Sequence, residues 1–237
     1  MRTLIAGIAV PHFSFDNASF LSAPSFSEYG RLVVDLGAAA RAAQDVVEGT
    51  TPHTTYGGQA IVNGKPSAHA FGLEDLLAMR RRETARLLEG GGLIVVFGQP
   101  EVIVPDVGDG WPSYSWLPNG EDFDWSRDLL PGFGMPGAVL TDADHPFAPI
   151  VEALASRLAY RVYLNEDGPA SARVFCRSSG GVAIGFEVSV GAGHTIVLPA
   201  IEKPASDRQV ISEALLRCFE RWEARAQSAE WASKEVP

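Results

Sequence analysis

Residues 73–100 decide the fold, and their sequence is LEDLLAMRRRETARLLEGGGLIVVFGQP. Leucines at positions 73, 76, 77 and 88 recur with charged residues between them, which is the period of a half-buried helix. Three glycines, residues 90–92, then end this helix, because glycine adopts the left-handed conformation of a helix C-terminus at little cost. Residues 93–97 form a continuous apolar run, which is typical of a strand buried on both faces. The stretch therefore predicts an α/β layered domain.

The segments on either side extend this pattern into a sheet with helices. Buried strands are predicted over residues 3–10 and 31–36, a hairpin near residues 59–65 around Asn63-Gly64, helices over 38–48, 144–158 and 207–225, and short strands over 173–177, 181–190 and 194–199. In the second of these helices, Asp144 is the predicted N-cap. We therefore predict a doubly wound, mostly parallel sheet flanked by helices, of the flavodoxin-like or amidotransferase-like type, with an antiparallel C-terminal meander.

The sequence also predicts the domain organisation. No internal repeat divides the 237 residues, so we predict a single α/β domain over residues 1–225. An aromatic-rich insertion is expected at about residues 101–136 and a flexible tail over residues 226–237. The loop over residues 11–26 contains four phenylalanines, so we expect it to pack on the body of the domain.

The amino-acid composition indicates which classes of partner the chain can bind. Acidic residues outnumber basic ones by 29 to 19, for a formal net charge of −10, which argues against direct binding to nucleic acid. The densest basic cluster, residues 80–82, is interpreted as a solvated helix face. The N-terminal apolar run is too short to cross a membrane. It is soon followed by His12 and Asp16, so we expect a first strand, no membrane association and a cytoplasmic location.

Three short segments carry a resemblance to a known family. They are Gly91-Gly92-Leu93-Ile94-Val95-Val96, Asp144-His145-Pro146, and the glycine-turn strand from Gly191 to Pro199. In this arrangement the chain resembles the class I glutamine amidotransferase-like superfamily, including its trehalose-utilisation-type members. Catalytic members carry a cysteine on a Gly-x-Cys-x-Gly elbow, and no such segment occurs in this sequence. The resemblance therefore implies a member that lacks the nucleophile of the family.

A ligand site is predicted beyond the carboxyl ends of the strands, where open α/β sheets bind ligands. The loops that would meet there contain Asp16, Asn17, Gln99 and Glu101. The alternative is that Asp16 and Asn17 satisfy backbone groups of their own loop.

The aromatic insertion leaves two alternatives open for Tyr114 and Trp116. The segment either folds back over the sheet as a lid, or presents an exposed patch to a partner. Both residues are assigned to the predicted ligand site.

Catalysis by a thiol has one candidate arrangement, Cys176 with His194 and with Glu187 to orient the imidazole. The alternative is a core cysteine and an exposed turn histidine, because a strand position does nothing to lower the pKa of a thiol. No histidines or cysteines are spaced along the sequence as metal ligands are, so no local metal site is predicted. His12, Asp16 and His145, which are far apart along the chain, could still form one in the folded protein. No phosphate-binding loop is present, and we predict no cofactor.

These observations favour a non-catalytic, amidotransferase-like module that binds a small ligand or a protein partner. We expect it to be a subunit of a larger bacterial assembly or a homo-oligomer. The alternative hypothesis is a hydrolase with a rearranged thiol site or a metal-dependent site.

Overall fold

A computed structural model shows an α/β fold built on a mixed sheet of eight strands. It describes residues 1–39, 52–54, 60–62, 68–99, 102–103, 114–132, 134, 136–165, 169–201 and 206–234. In spatial order the strands are β2 (Phe15–Ala18), β1 (Thr3–Ala6), β3 (Arg31–Asp35), β6 (Leu93–Phe97), β14 (Gly193–Leu198), β13 (Ala183–Val190), β12 (Arg173–Ser178) and β9 (Ala138–Leu140). Pairing is parallel from β2 to β14 and antiparallel from β14 to β9.

The other elements are short strands and the helices. A three-stranded sheet contains β4 (Pro52–Thr54), β5 (Ala60–Val62) and β7 (Val102–Ile103); two-stranded pairs join β10 (Leu158–Ala159) with β15 (Ala200–Ile201) and β8 (Leu129–Pro131) with β11 (Val162–Leu164). The helices are α1, described over residues 36–39, α2 (Ala68–Glu89), α3 (Trp125–Asp128), α4 (Ala148–Leu154) and α5 (Arg208–Lys234). Single 3-10 turns cover Phe26–Glu28 and Ala155–Arg157.

Strand β6 occupies the centre of the sheet, as its apolar run predicts. All five of its residues are buried, and it pairs in parallel with β3 on one side and β14 on the other. Ile94 and Val96 face one apolar cluster while Val95 and Phe97 face the other. In a strand covered on both faces every side chain is buried in apolar surroundings, which explains the unbroken apolar sequence.

The glycines after α2 end the helix as the sequence predicts. Gly91 has a φ of +76°, a conformation that residues with a Cβ rarely adopt. The Gly92 N–H donates to the Leu87 carbonyl at 2.9 Å, and the Gly91 N–H donates to the Leu88 carbonyl at 3.0 Å. This pair of bonds is the Schellman motif, and it turns the chain directly into β6.

Two apolar layers enclose the sheet. One face packs against α2 and against aromatic residues of the insertion, while the other packs against α4 and α5. The structure therefore has helices on both faces of a mixed sheet, which is the α/β class that the sequence predicts.

Several predicted boundaries are wrong. The first strand ends at Ala6, and the expected loop over residues 11–26 contains the edge strand β2. Strands β4 and β5 pair antiparallel, whereas the predicted turn at Asn63-Gly64 of the hairpin near residues 59–65 lies outside the described residues. Helix α5 continues to Lys234 through much of the predicted tail. The alanine-rich helix predicted over residues 38–48 lies mostly outside the described residues.

The predicted N-cap of the helix after Asp144 is also wrong. Helix α4 begins at Ala148, with Phe147 at the N-cap position and no side-chain cap. Asp142 is the residue whose carboxylate binds local backbone, accepting from the Asp144 N–H at 3.1 Å.

Arg80 contradicts the interpretation of residues 80–82 as a solvated helix face. Arg81 and Arg82 are exposed, but Arg80 is only 1% exposed. Its guanidinium donates to the Pro24 carbonyl at 2.9 Å, the Ala23 carbonyl at 2.6 Å and the Glu83 carboxylate at 2.8 Å. Arg80 therefore fastens the loop before β3 to helix α2.

No helix among the described residues is long and apolar enough to cross a membrane. The division into one domain over residues 1–225 stays a prediction.

The Arg80→Met variant should lose about 2–4 kcal/mol of unfolding free energy, because a buried Glu83 and two loop carbonyls lose their donor. Arg81→Met is the matched control, and its exposed side chain should change stability by no more than about 0.5 kcal/mol. Urea unfolding followed by circular dichroism measures both. Equal midpoints for the two variants would show that Arg80 does not fasten the loop.

Candidate functional site

The Glu187 carboxylate is buried among nitrogen atoms of three other side chains, and the residue is 5% exposed. Its Oε2 lies 3.0 Å from His145 Nε2 and 2.9 Å from Arg225 Nη1. Its Oε1 lies 2.9 Å from His194 Nδ1 and 2.5 Å from Arg225 Nη2. We call these four residues the Glu187 cluster. Each carboxylate oxygen thus faces two nitrogens, which accounts for all of its acceptor capacity.

Different elements supply the four members. Glu187 lies on β13, and His194 follows the turn into β14, where it pairs with Ser189. His145 comes from the segment before α4, and Arg225 comes from α5. The Arg225 guanidinium lies 4.2 Å from the centre of the Trp222 ring, which in turn lies 5.1 Å from the His194 ring.

His145 has a defined protonation state in this arrangement. Its ring is fully buried and stacks on Phe175 with the centroids 3.8 Å apart. Its Nδ1 accepts the Phe147 N–H at 3.2 Å, so the proton lies on Nε2 and points at Glu187. A second proton would break the bond to Phe147, so the imidazole is neutral in the folded chain.

The pKa shifts agree with this geometry. Burial lowers the pKa of His145 below its ordinary value, although the hydrogen bond with Glu187 opposes that shift. Burial alone would raise the pKa of Glu187, but hydrogen bonds from His145, His194 and Arg225 hold it well below the ordinary range. The cluster is therefore a fixed carboxylate with an arginine counter-ion and a neutral buried imidazole.

A second ion pair joins the same helix to the sheet. Arg31, at the start of β3, is 8% exposed and donates to Glu223 of α5. Its guanidinium also lies 4.7 Å from the centre of the Phe219 ring. Together with Glu187–Arg225, this pair ties the second half of α5 to the sheet on both sides of β6.

The predicted ligand residues on the first loop have intramolecular partners. The Asn17 side chain accepts from the Val10 N–H at 2.7 Å and donates to the Val10 carbonyl at 3.0 Å. Asp16 is exposed and pairs with Arg2 at 2.7 Å. Asn17 therefore satisfies loop backbone groups, which is the alternative that the sequence left open.

Of the other predicted ligand residues, Gln99 and Tyr114 meet just after the carboxyl end of β6. The Tyr114 hydroxyl donates to the Gln99 carbonyl at 2.8 Å and accepts from the Gln99 N–H at 3.2 Å. Tyr114 stacks on Trp125 with 5.6 Å between ring centroids. Tyr114 and Trp116 are 2% and 1% exposed, so both belong to the core and neither forms an exposed patch. Glu101 lies outside the described residues.

Gly98, directly after β6, is closely packed against other parts of the chain. A Cβ at Gly98 would lie 2.5 Å from Val162 Cγ2 and 3.5 Å from the Tyr114 hydroxyl. The described part of the insertion therefore folds back over the sheet.

The structure does not bring Cys176 to His194. Cys176 pairs with Gly185 and His194 with Ser189, so four residues of β13 separate them lengthwise. At about 3.3 Å per residue and about 4.8 Å per strand spacing, the two residues are far beyond hydrogen-bond reach. Burial also raises the pKa of the Cys176 thiol to about 12. Glu187 does contact His194, but the Cys176 thiol is not beside that pair.

The metal set suggested by the sequence is not assembled either. Asp16 pairs with Arg2, His145 points at Glu187, and His12 Nδ1 accepts the Ser14 N–H at 3.2 Å. Within the described ranges, no group of three or more His, Cys, Asp or Glu side chains is arranged to hold a metal ion.

Sequence reasoning missed Arg225 and the burial of His145. Trp222 and Arg225 lie three residues apart and therefore on one face of α5, which was the available signal. Nothing local indicates that this face meets Glu187, which is 38 residues away along the chain.

No family model and no curated protein sequence matches the chain. Among solved structures, it is similar to an exo-β-1,4-mannosidase from Opitutaceae bacterium strain TAV5, at 15% identity and a TM-score of 0.34. That match covers 92% of this chain but 27% of the mannosidase, so the chain spans about a quarter of its length.

Two further similarities extend over nearly the whole length of both chains. A cytoplasmic protein from Salmonella typhimurium LT2 is 12% identical, with 92% and 98% of the chains covered and a TM-score of 0.46. A Thermoplasma acidophilum protein provisionally assigned to GMP synthase is 10% identical, with 95% and 98% covered and a TM-score of 0.40. At these values the amidotransferase-like assignment stays a prediction.

The Glu187→Gln variant should lose about 2–4 kcal/mol of unfolding free energy at pH 7, because Arg225 loses its counter-ion and the amide cannot accept from four donors. Glu220→Gln, on the exposed side of α5, is the matched control and should stay within about 0.5 kcal/mol of the parent. Urea midpoints give both values. A Glu187→Gln midpoint equal to that of the control would contradict the anchoring role.

Acid should destabilise the fold in two stages. The pKa of His145 is lowered from 6.5 in the folded state, so its contribution to stability is present above about pH 6.5 and is lost as the pH falls. The pKa of Glu187 is lowered from 4.5, so a further loss begins near pH 4.5. Urea midpoints measured from pH 8 to pH 3 should show both losses.

The His145→Gln variant is the control for the first stage, because its amide can donate to Glu187 but does not titrate. The slope between pH 7 and pH 5 should be smaller in this variant. An identical slope would show that His145 is not the titrating group.

Proposed function

We propose that the chain is a non-catalytic α/β module of the amidotransferase-like type, which acts by binding a protein partner within a larger bacterial assembly. The observation that carries this proposal is that two polar side chains of the candidate sites, Glu187 and Tyr114, are already bonded to other residues of the fold. Glu187 is saturated by its four nitrogens, and Tyr114 closes the carboxyl end of β6. Among the large apolar side chains of the described chain, Met1, Phe13 and Val139 are exposed.

Both cysteines support a non-catalytic role. Cys176 and Cys218 are fully buried, and burial raises the pKa of each thiol to about 12. A thiolate is the reactive form of cysteine, and its fraction at neutral pH is then negligible.

The same packing favours a protein partner over a small ligand beside Gln99. The backbone N–H and carbonyl of Gln99 are both bonded to the Tyr114 hydroxyl. A small ligand would have to displace a buried ring that stacks on Trp125, and the lost packing would offset much of its binding energy.

A hydrolase that uses His194 is the second candidate. The observation that favours it is the orientation of the ring, because Nδ1 faces Glu187 and the side chain is 32% exposed. Its weakness is that both oxygens of Glu187 are already bonded to the Arg225 guanidinium. The thiol version is not supported, since Cys176 is distant.

The native chain, tagged and expressed at its own level in its source bacterium, should elute from a sizing column well above the 25.3 kDa of one chain, with a second protein in fixed stoichiometry. Proteins outside the assembly, which elute according to their own masses in the same extract, calibrate the column. Elution as a single chain without a partner would contradict the proposal.

A further inference from the structure

Helix α5 is attached to the sheet in two different ways along its length. Up to Phe219 it packs an apolar face into the core, formed by Ile211, Ala214, Leu215, Cys218 and Phe219. We call residues 220–228 the end of α5. There, Trp222 and Arg225 are half-buried and the other side chains are exposed. An element with few buried apolar contacts opens at a lower free-energy cost than the core does.

Polar contacts attach the end of α5 to the rest of the fold. The Arg225 guanidinium donates to both oxygens of Glu187, at 2.9 and 2.5 Å. Arg221 Nη1 donates to the Ala143 carbonyl at 3.3 Å, and Glu223 accepts from an arginine of β3. The position of this helix end therefore depends on Glu187 keeping its bond to Arg225.

The end of α5 lies over the His145 imidazole, which is fully buried. The Trp222 ring lies 6.0 Å from the Phe147 ring, and Arg225 covers the carboxylate to which the imidazole is bonded. His145 Nδ1 accepts the Phe147 N–H, so this imidazole can bind a second proton only by losing that hydrogen bond. Lifting the helix end would bring water to the imidazole, and the hydrated ring binds the proton more tightly.

The charges around His145 oppose its protonation while the helix end is in place. The charged and titratable groups that surround it are Glu187 of β13, Arg173 of β12, His194 of β14, Arg225 of α5 and Asp142 of its own segment. The one charged residue of α4, Glu152, is exposed.

These charges balance only while the imidazole is neutral. Arg225 is paired with Glu187, and Arg173 is paired with Asp142 at 2.5 Å. A proton on the imidazole leaves one positive charge in excess. Arg225 has a 32% exposed side chain on a helix end, so it can carry its charge into water. The lowered pKa of His145, caused first by burial, agrees with this balance.

We propose that acid releases the end of α5 from the sheet: protonation of His145 displaces Arg225 from Glu187, and the helix end then lifts. The released state exposes the Trp222 ring and the Glu187 carboxylate. The protein therefore presents a different surface at mildly acidic pH, before the fold as a whole is lost. This inference is independent of any partner.

The test is amide hydrogen exchange of the full chain at pH 7.5 and pH 5.5, followed by mass spectrometry and corrected for the intrinsic exchange rate at each pH. A proton bound only in the released state, by a histidine of ordinary pKa, shifts the opening equilibrium about tenfold over this interval. Protection of the amides of residues 222–225 should therefore fall about tenfold. It should also stay at least about tenfold below the protection of β6 at both pH values, because local opening costs less than global unfolding.

Two variants identify the titrating group. His145→Gln keeps a donor to Glu187 but does not titrate, so its protection over residues 222–225 should change by less than about twofold. His194→Gln is the matched control, because it removes the other imidazole that contacts Glu187, and it should keep the tenfold response.

Three results would overturn the inference. Equal protection of residues 222–225 and of β6 in the parent chain would show that the helix end opens only when the whole fold unfolds. A parent response below about twofold would show that no proton is linked to the opening. A response that survives in His145→Gln, or that disappears in His194→Gln, would assign the proton to another group. The first two results come from the parent chain alone, so they decide the question even if a variant fails to fold.

Discussion

Burial of β6 on both faces is the constraint on which the rest of the structure depends. A strand with no solvated face needs a hydrogen-bonded neighbour at each edge and an apolar layer above and below. Strands β3 and β14 supply the edges, and α2 with the insertion and α4 with α5 supply the layers. The Schellman turn at Gly91 delivers the chain into this position, so one short segment determines both the strand and the helix that covers it.

Charged residues then fix the covering layers in register. Arg80 fastens the loop before β3 to α2 on one face, while Arg31 and Glu187 fasten α5 on the other. Apolar packing is non-directional, so it brings layers together without selecting one alignment. A bidentate arginine pair has a narrow geometry and does select one. On this view the Glu187 cluster holds α5 in one alignment with the sheet.

The structural features that the sequence predicted are those formed by residues close together along the chain. The α2–Gly91–β6 unit and the apolar period of α5 are local, and the contact between Glu187 and His194 spans one hairpin. The burial of Arg80 was missed because its partner carbonyls lie 56 and 57 residues away, where no local pattern reports them. Arg225 and His145 were missed for the same reason. The N-cap prediction at Asp144 was wrong because α4 begins only at Ala148, and an aspartate is as common in a turn as at a helix start.

The two outermost strands of the sheet have a consequence for how this molecule associates. Strand β2 has four residues and carries the charged Asp16, and β9 has three. Short or charged edges give a foreign strand few backbone groups to pair with, which discourages continuation of the sheet into another molecule. Recognition by strand addition is thus disfavoured at both ends, and growth into fibres is disfavoured with it.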